Sequence, residues 1–300
     1  MSATTPAIEI MDLSYTYGRT EAVHNLNLTV QAGCCYGLFG RNGAGKTTTM
    51  KCLLNLLRPR TGSVRVFGLD TRKSEVDVKR HLAYVPDYVA FYPWMTIRET
   101  LNYLASFREH WNQDLEKDLL SRFGLNELER TGALSKGQRT QVALVGAVCP
   151  EPDLLLLDEP TSGLDPIVRR EFIETVIGAY QEGAPGKRTL LVSTHLISEF
   201  EGLIDEFTIM ERGKDVLSLG ADQARQRYQK ICARFPQPPP EVEFEGALHT
   251  RRNGRELELI ANGEAERIMR DLSNFAPESL TSEALTLEEV FVATVKQSRR

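Results

Sequence analysis

Tyr36-Gly37-Leu38-Phe39-Gly40-Arg41-Asn42-Gly43-Ala44-Gly45-Lys46-Thr47 is the stretch on which the architecture turns. An apolar strand candidate, residues 36–39, runs into a glycine-rich loop, and a helix-forming run follows. Glycines let backbone N–H groups close around phosphate oxygens, and the N-terminus of the next helix adds a favourable dipole. In this pattern Lys46 pairs with β- and γ-phosphates and the Thr47 hydroxyl ligates Mg²⁺. A strand feeding such a loop and then a helix predicts an α/β protein with a parallel sheet.

Working outward, Leu154, Leu155, Leu156 and Leu157 form a continuous apolar run ending in Asp158 and Glu159, and residues 189–192 form a second run. Continuous apolar runs separated by a helical stretch are expected of parallel strands covered on both faces. Two acids at the carboxyl edge of such a strand stand where α/β sheets bind ligands. Asp158 suits an Mg²⁺ shell, and Glu159 is placed to orient and deprotonate an attacking water. Alone, the pair would be read as capping the turn at Pro160; beside the phosphate loop it is read as catalytic.

Elsewhere the patterning changes. Leu26, Leu28 and Val30 alternate with Asn27 and Thr29, predicting a half-buried, antiparallel start. Residues 88–150 read as a helical insert. Thr96 and Glu99 form a capping box ahead of Ile97, Leu101 and Leu104, and a second stripe, Leu115, Leu119, Leu120 and Phe123, ends at Gly124. Asp165 caps a helix with Pro166 in its first position, whose apolar face is Phe172, Ile173, Val176, Ile177 and Tyr180. Residues 221–240 read as a helix and a linker stiffened by Pro236, Pro238, Pro239 and Pro240, and residues 241–300 as a small α+β unit. There Asn253 and Gly254 predict a hairpin turn, and Thr286 with Glu289 caps a last helix.

Composition narrows the function. The 300 residues carry 36 Lys+Arg against 41 Asp+Glu, a formal charge of −5, so no global basic field attracts nucleic acid. No apolar run approaches the ~20 residues of a membrane-spanning helix. The start, Met1 to Pro6, lacks a basic n-region and an apolar h-region, so a cytoplasmic location is expected. The five cysteines, Cys34, Cys35, Cys52, Cys149 and Cys232, lack metal-type spacing and read as buried reduced thiols.

Further motifs carry a family resemblance. Leu134-Ser135-Lys136-Gly137-Gln138 resembles the signature motif of ATP-binding cassette (ABC) ATPases, and Ser162-Gly163-Leu164-Asp165 resembles their D-loop. His195 matches the switch histidine, and Tyr17 the aromatic that stacks on adenine. The motifs stand in the family's order over about residues 8–220. The resemblance implies a P-loop NTPase with a RecA-like parallel core, an antiparallel β-subdomain and a helical subdomain, within residues 1–220.

It also implies a function: an ATP-hydrolysing subunit that energises a separate membrane permease, for export, and sits peripherally at the inner face of the membrane. Two copies, or one copy and a homologue, would pair head to tail. ATP would contact Tyr17 and the loop residues Gly40, Asn42, Gly43, Ala44, Gly45, Lys46, Thr47 and Thr48 of one subunit. In trans it would meet Ser135, Gly137, Gln138 and Asp165 of the other. Catalysis would fall to Glu159, His195 and Lys46, and Mg²⁺ to Thr47, Asp158 and Asp87. Tyr92, Pro93, Trp94 and Met95 are candidates to line a permease groove, with core packing the preferred reading for Trp94. The residues 287–291 resemble tails of exporter-type subunits.

Two departures stand out. Lys136 replaces the second glycine more common in the signature, and its side chain is expected to point to solvent. Asp87 replaces the usual glutamine and brings an extra negative charge near the γ-phosphate. Two other classes remain open. A soluble ABC regulator or assembly factor would usually carry a second cassette, coiled coils or zinc sites. A small-molecule P-loop kinase would leave residues 135–138 and His195 without a role.

Overall fold

The computed structural model describes residues 5–181, 188–239 and 241–298. Met1, Pro240 and the Tyr180 side chain lie outside the described portion. The chain divides into two compact units: one comprises residues up to Leu196 with Met210–Asp215, the other Ile197–Ile209 with Val216–Arg300.

The first unit opens with β1 (Ile8–Tyr17) and β2 (Thr20–Val30), paired antiparallel. Leu26, Leu28 and Val30 are buried while Asn27 and Thr29 are exposed, as the alternation predicts. The strand β3 (Cys35–Gly40), buried throughout, leads through the phosphate loop into α1 (Lys46–Leu53). Next come β4 (Thr61–Val66) and β5 (Leu69–Asp70), which complete an antiparallel sheet of order β2-β1-β4-β5. Then α2 (Glu75–His81) and β6 (Leu82–Val85) precede three helices: α3 (Ile97–Ala105), α4 (Gln113–Arg122) and α5 (Lys136–Val148).

After them, β7 (Leu154–Asp158), α6 (Pro166–Gln181) and β8 (Thr189–Thr194) finish the parallel core. Strands β3, β8, β7 and β6 are neighbours in that order, all parallel. Both faces are covered, so β3, β7 and β8 are buried along their whole length, with unbroken apolar runs at residues 154–157 and 190–192. Every α-helix start from α3 to α6 is capped, those of α3 and α6 at the expected Thr96 and Asp165. Thr96 and Ser135 form reciprocal boxes with Glu99 and Gln138. Asn112 accepts from Leu115 N–H, and Asp165 from the Ile167 and Val168 N–H groups.

Elements of the second unit are β9 (Glu206–Glu211) and β10 (Lys214–Gly220), whose turn belongs to the first unit, then α7 (Ala221–Arg227) and β11 (Tyr228–Arg234). They are followed by β12 (Ala247–Asn253), β13 (Glu256–Asn262), α8 (Ala265–Ser273), β14 (Ser279–Ala284) and α9 (Leu287–Gln297). An antiparallel sheet of order β12-β13-β11-β14 packs Ile231, Leu257 and Leu259 against Ile268 and Leu272 of α8.

This topology overturns part of the expected organisation. Residues 228–234 are not linker. They form β11, hydrogen-bonded on both sides by β13 and β14, so the small unit recruits a strand from before the proline run. The hairpin turn is also one residue later than expected. Asn253 pairs with Glu256, leaving Gly254 (φ 59°) and Arg255 as the turn residues. Thr286 and Glu289 do form the last capping box.

Candidate nucleotide site

The phosphate loop is shaped by what its neighbours forbid. Gly45 stands at φ 106°, and a Cβ there would lie 2.5 Å from the Ala22 carbonyl oxygen. Any L side chain is excluded by both backbone conformation and space. At Gly40, a Cβ would come within 2.8 Å of the Met210 carbonyl oxygen. The loop is pinned further by Gly213 N–H, which donates to the Ala44 carbonyl at 2.9 Å. Asn42 and Gly43 are exposed, Ala44 and Thr48 are buried, and Thr47 is half-buried.

Lys46, only 5% exposed, folds over this loop. Its Nζ donates to the Gly40 carbonyl at 2.6 Å and lies 2.9 Å from Glu159 Oε1, an ion pair without hydrogen-bond alignment. The other oxygen of Glu159 lies 2.7 Å from His195 Nδ1. Glu159 (φ 47°) is left-handed, and its N–H donates to the Ser193 carbonyl at 2.8 Å. That strained backbone turns the side chain away from β7 and toward both partners. Lys46, Glu159 and His195, 149 residues apart in sequence at the extremes, thus form one continuous chain of polar contacts at the carboxyl edge of the parallel sheet.

Asp158 is fully buried beside them. It accepts from Ser193 Oγ at 2.9 Å and from the Thr47 hydroxyl, and Tyr84 Oη stands 3.4 Å from Oδ2. Burial raises the Asp158 carboxyl above its ordinary value, the two hydroxyl donors oppose that rise, and the charges of Glu159 and Asp87 add to it. Asp87 itself is exposed, just past the end of β6, yet near enough for its charge to act on Asp158 and Tyr84. Among the described residues no group of three or more His, Cys, Asp or Glu is arranged to hold a metal. A cation beside Thr47 and Asp158 would draw its remaining ligands from phosphate and water, the coordination Mg²⁺ favours. The residues fit that ion.

The signature residues form a separate cluster. Ser135 Oγ accepts from Gln138 N–H at 3.2 Å while Gln138 Oε1 accepts from Ser135 N–H at 2.9 Å. The amide of Gln138 and the carboxylate of Asp165 are thus spent on the starts of α5 and α6. Ser135 keeps its hydroxyl proton, and the first N–H groups of α5 keep no intrahelical acceptor. Lys136 is exposed, as expected, and its Nζ also donates to the Ser162 carbonyl at 2.6 Å. Tyr17, 47% exposed at the end of β1, stacks edge-on against Tyr15 at 4.8 Å.

Three features were not anticipated. Ser193 and Tyr84 support Asp158; Ser193 faces Asp158 across the β7–β8 register, and a polar residue ending an apolar strand was the available signal. Trp94, for which core packing was the preferred reading, is instead 64% exposed and joins a surface ladder with Tyr92, Tyr103 and Phe107. Of the cysteines, four are buried as expected, and Cys232 is half-buried.

Comparison with known proteins matches residues 23–162 to the family described as ABC transporter. The bacitracin transport ATP-binding protein BcrA of Bacillus licheniformis is 33% identical over 225 residues, 74% of this chain and 72% of that protein. The daunorubicin/doxorubicin resistance ATP-binding protein DrrA of Streptomyces peucetius is 34% identical over 244 residues, 77% of this chain and 73% of that protein. Among solved structures, an ATP-binding subunit of an ABC transporter aligns over 73% of this chain and 92% of its own, with a TM-score of 0.65 and 29% identity. A dimeric ATP-binding cassette in a post-hydrolysis state, bound to ADP and Pi, shares the fold with a TM-score of 0.63 at 20% identity, over 71% of this chain and 98% of its own. The matched family segment holds the phosphate loop, the start of α5 and both acids, and the loop, acids and His195 meet in one place, so the chain belongs to the ABC transporter family as an ATP-binding, ATP-hydrolysing subunit.

Proposed function

We propose that two copies of this chain, or one copy and a homologous subunit, close head to tail on ATP and Mg²⁺ and drive a separate membrane permease in export. The observation that carries this reading is the Lys46–Glu159–His195 chain lying beside Thr47 and Asp158. Lys46 and the loop N–H groups bind the β- and γ-phosphates. Thr47 and Asp158 would hold Mg²⁺, with Asp87 at the edge of its shell, and the ion would neutralise charge on the β- and γ-phosphate oxygens. Tyr17 offers an exposed aromatic face to the adenine.

Hydrolysis forms a bond from water oxygen to the γ-phosphorus and breaks the bond to the β,γ-bridging oxygen; the water proton passes to Glu159. His195 holds the Glu159 carboxylate by Nδ1–H. To donate from Nε2 to a γ-phosphate oxygen as well, His195 must carry both ring protons. Ser135 Oγ–H and the Gly137 N–H supply the other subunit's contribution to that phosphate.

Among the described residues no helix is long and apolar enough to cross a membrane, and relatives named as ATP-binding proteins support a permease carried on a separate chain. Association with it would place this subunit peripherally at the cytoplasmic face. The aromatic ladder of Tyr92, Trp94, Tyr103 and Phe107 is the surface proposed to meet it. Relatives named for bacitracin transport and for daunorubicin/doxorubicin resistance support outward transport.

Two variants test the assignments together. Glu159→Gln is expected to bind ATP with near-normal affinity, to lose about 100-fold or more in turnover, and to elute as an ATP-dependent dimer. Lys46→Ala is expected to lose ATP binding and stay monomeric. Wild-type turnover in Glu159→Gln removes that residue from the base role, and an ATP-loaded monomer at every concentration removes the dimer.

A further inference from the structure

Lys136 occupies the first helical position of α5, where the family more often carries glycine, and its side chain leans back toward the helix N-terminus as helical side chains do. Its stem crosses Gly163, where a Cβ would lie 3.3 Å from Lys136 Nζ and 3.9 Å from its Cδ. The amine then reaches the Ser162 carbonyl at 2.6 Å, a charge-assisted hydrogen bond at short range. Nearby, a Cβ on Gly137 would stand 3.3 Å from Val168 Cγ1, so the first turns of α5 and α6 are already close. Gln141 Nε2 donates to Glu171 Oε2 at 3.2 Å further along the same pair of helices.

The D-loop between them is held at successive points. Ser162 O accepts from Lys136, Leu164 O accepts from Arg169 Nη2 at 3.1 Å, and Asp165 caps α6. Glycine at position 136 could not reach the loop, and the Ser162 carbonyl would turn to water. The lysine also keeps its charge on the D-loop and off the open N–H groups of Lys136 and Gly137, which stay accessible to an anion.

We propose that Lys136 is a positioning residue that locks the D-loop to the signature helix within one subunit, so that both surfaces are presented to a partner's nucleotide as one preformed piece. The kinetic part of this proposal rests on the head-to-tail function above; the tether itself does not.

The test uses the full chain with Lys136→Met, which keeps the stem and removes the donor, Lys136→Gly, and Lys136→Arg, which restores a charged donor. Two readouts are taken. The first is amide hydrogen exchange at Ser162 and Leu164 in nucleotide-free protein, where both N–H groups are held in turn hydrogen bonds to Glu159 and Thr161. The second is kcat for ATP hydrolysis alongside ADP affinity. The Met and Gly variants should exchange these amides about three- to tenfold faster and lose a similar factor in kcat, with ADP affinity unchanged. Arg should recover both. Unchanged exchange in the Met variant overturns the tether, and faster exchange with wild-type kcat overturns the positioning role. Failure of the head-to-tail function would show separately, as wild-type turnover per subunit independent of protein concentration.

Discussion

At the scale of single residues, the site is governed by how much charge is gathered beside buried Asp158. Its carboxyl is raised by burial first and by Glu159 and Asp87 next, against the Thr47 and Ser193 hydroxyls. A carboxyl whose folded value lies above its unfolded one costs stability once it is ionised. The cost is absent below the ordinary Asp range and is complete above the raised folded value. Asp158→Asn should therefore raise the melting temperature of nucleotide-free protein near pH ~7.5, and the gain should vanish at a pH below the ordinary Asp range. The same variant should lose Mg²⁺-dependent hydrolysis. A thermal melt at both pH values checks the first, and an unchanged or lower melting temperature at pH 7.5 would contradict it. Glycine and lysine spacing made the phosphate loop legible, because those backbone demands are local. Tyr84, whose phenol is pushed upward chiefly by burial and also by Asp158 and Asp87, could not be read as part of the site; only the β6–β7 pairing brings it there.

At the scale of elements, helix starts were the most legible feature. A cap is a contact between residues three apart, so Thr96 with Glu99, Ser135 with Gln138 and Thr286 with Glu289 satisfy one another wherever the helix packs. What spacing could not reveal was Glu116, buried on α4 next to an apolar stripe. It pairs with Arg98 of α3, which also holds Glu127, and accepts from Trp111 Nε1 at 2.6 Å. Its burial follows from partners 18 and 5 residues away. Glu116→Ala strands a part-buried indole N–H and weakens the α3–α4 link, and is expected to cost about 2–3 kcal/mol of stability. Glu116→Gln, which retains an acceptor for Trp111, should cost about half as much. Chemical denaturation of the two variants checks the order, and equal losses would show that the ion pair with Arg98 dominates.

At the scale of the whole molecule, the exposed ladder of Tyr92, Trp94, Tyr103 and Phe107 is the feature that soluble catalysis leaves unexplained. Ring centroids 5.0 Å apart for Tyr92–Trp94 and for Tyr103–Phe107 make it a continuous apolar surface. Trp94→Ser combined with Phe107→Ser should leave ATP affinity and the melting temperature near wild type while reducing co-purification of the permease from detergent by about tenfold or more. Undiminished co-purification would place the permease contact elsewhere.

By itself the sequence determined the phosphate loop, the buried parallel strands, the antiparallel start and the helix caps, because each depends on neighbours within one element or one turn. Only the tertiary structure decided that Ser193 and Tyr84 flank Asp158, that Glu159 spans Lys46 and His195, that Lys136 reaches back to Ser162, and that β11 belongs to the small sheet rather than to a linker. Each of these joins residues whose meeting is set by strand order and helix packing, and a one-dimensional pattern of hydrophobicity and spacing carries no term for which strand lies beside which.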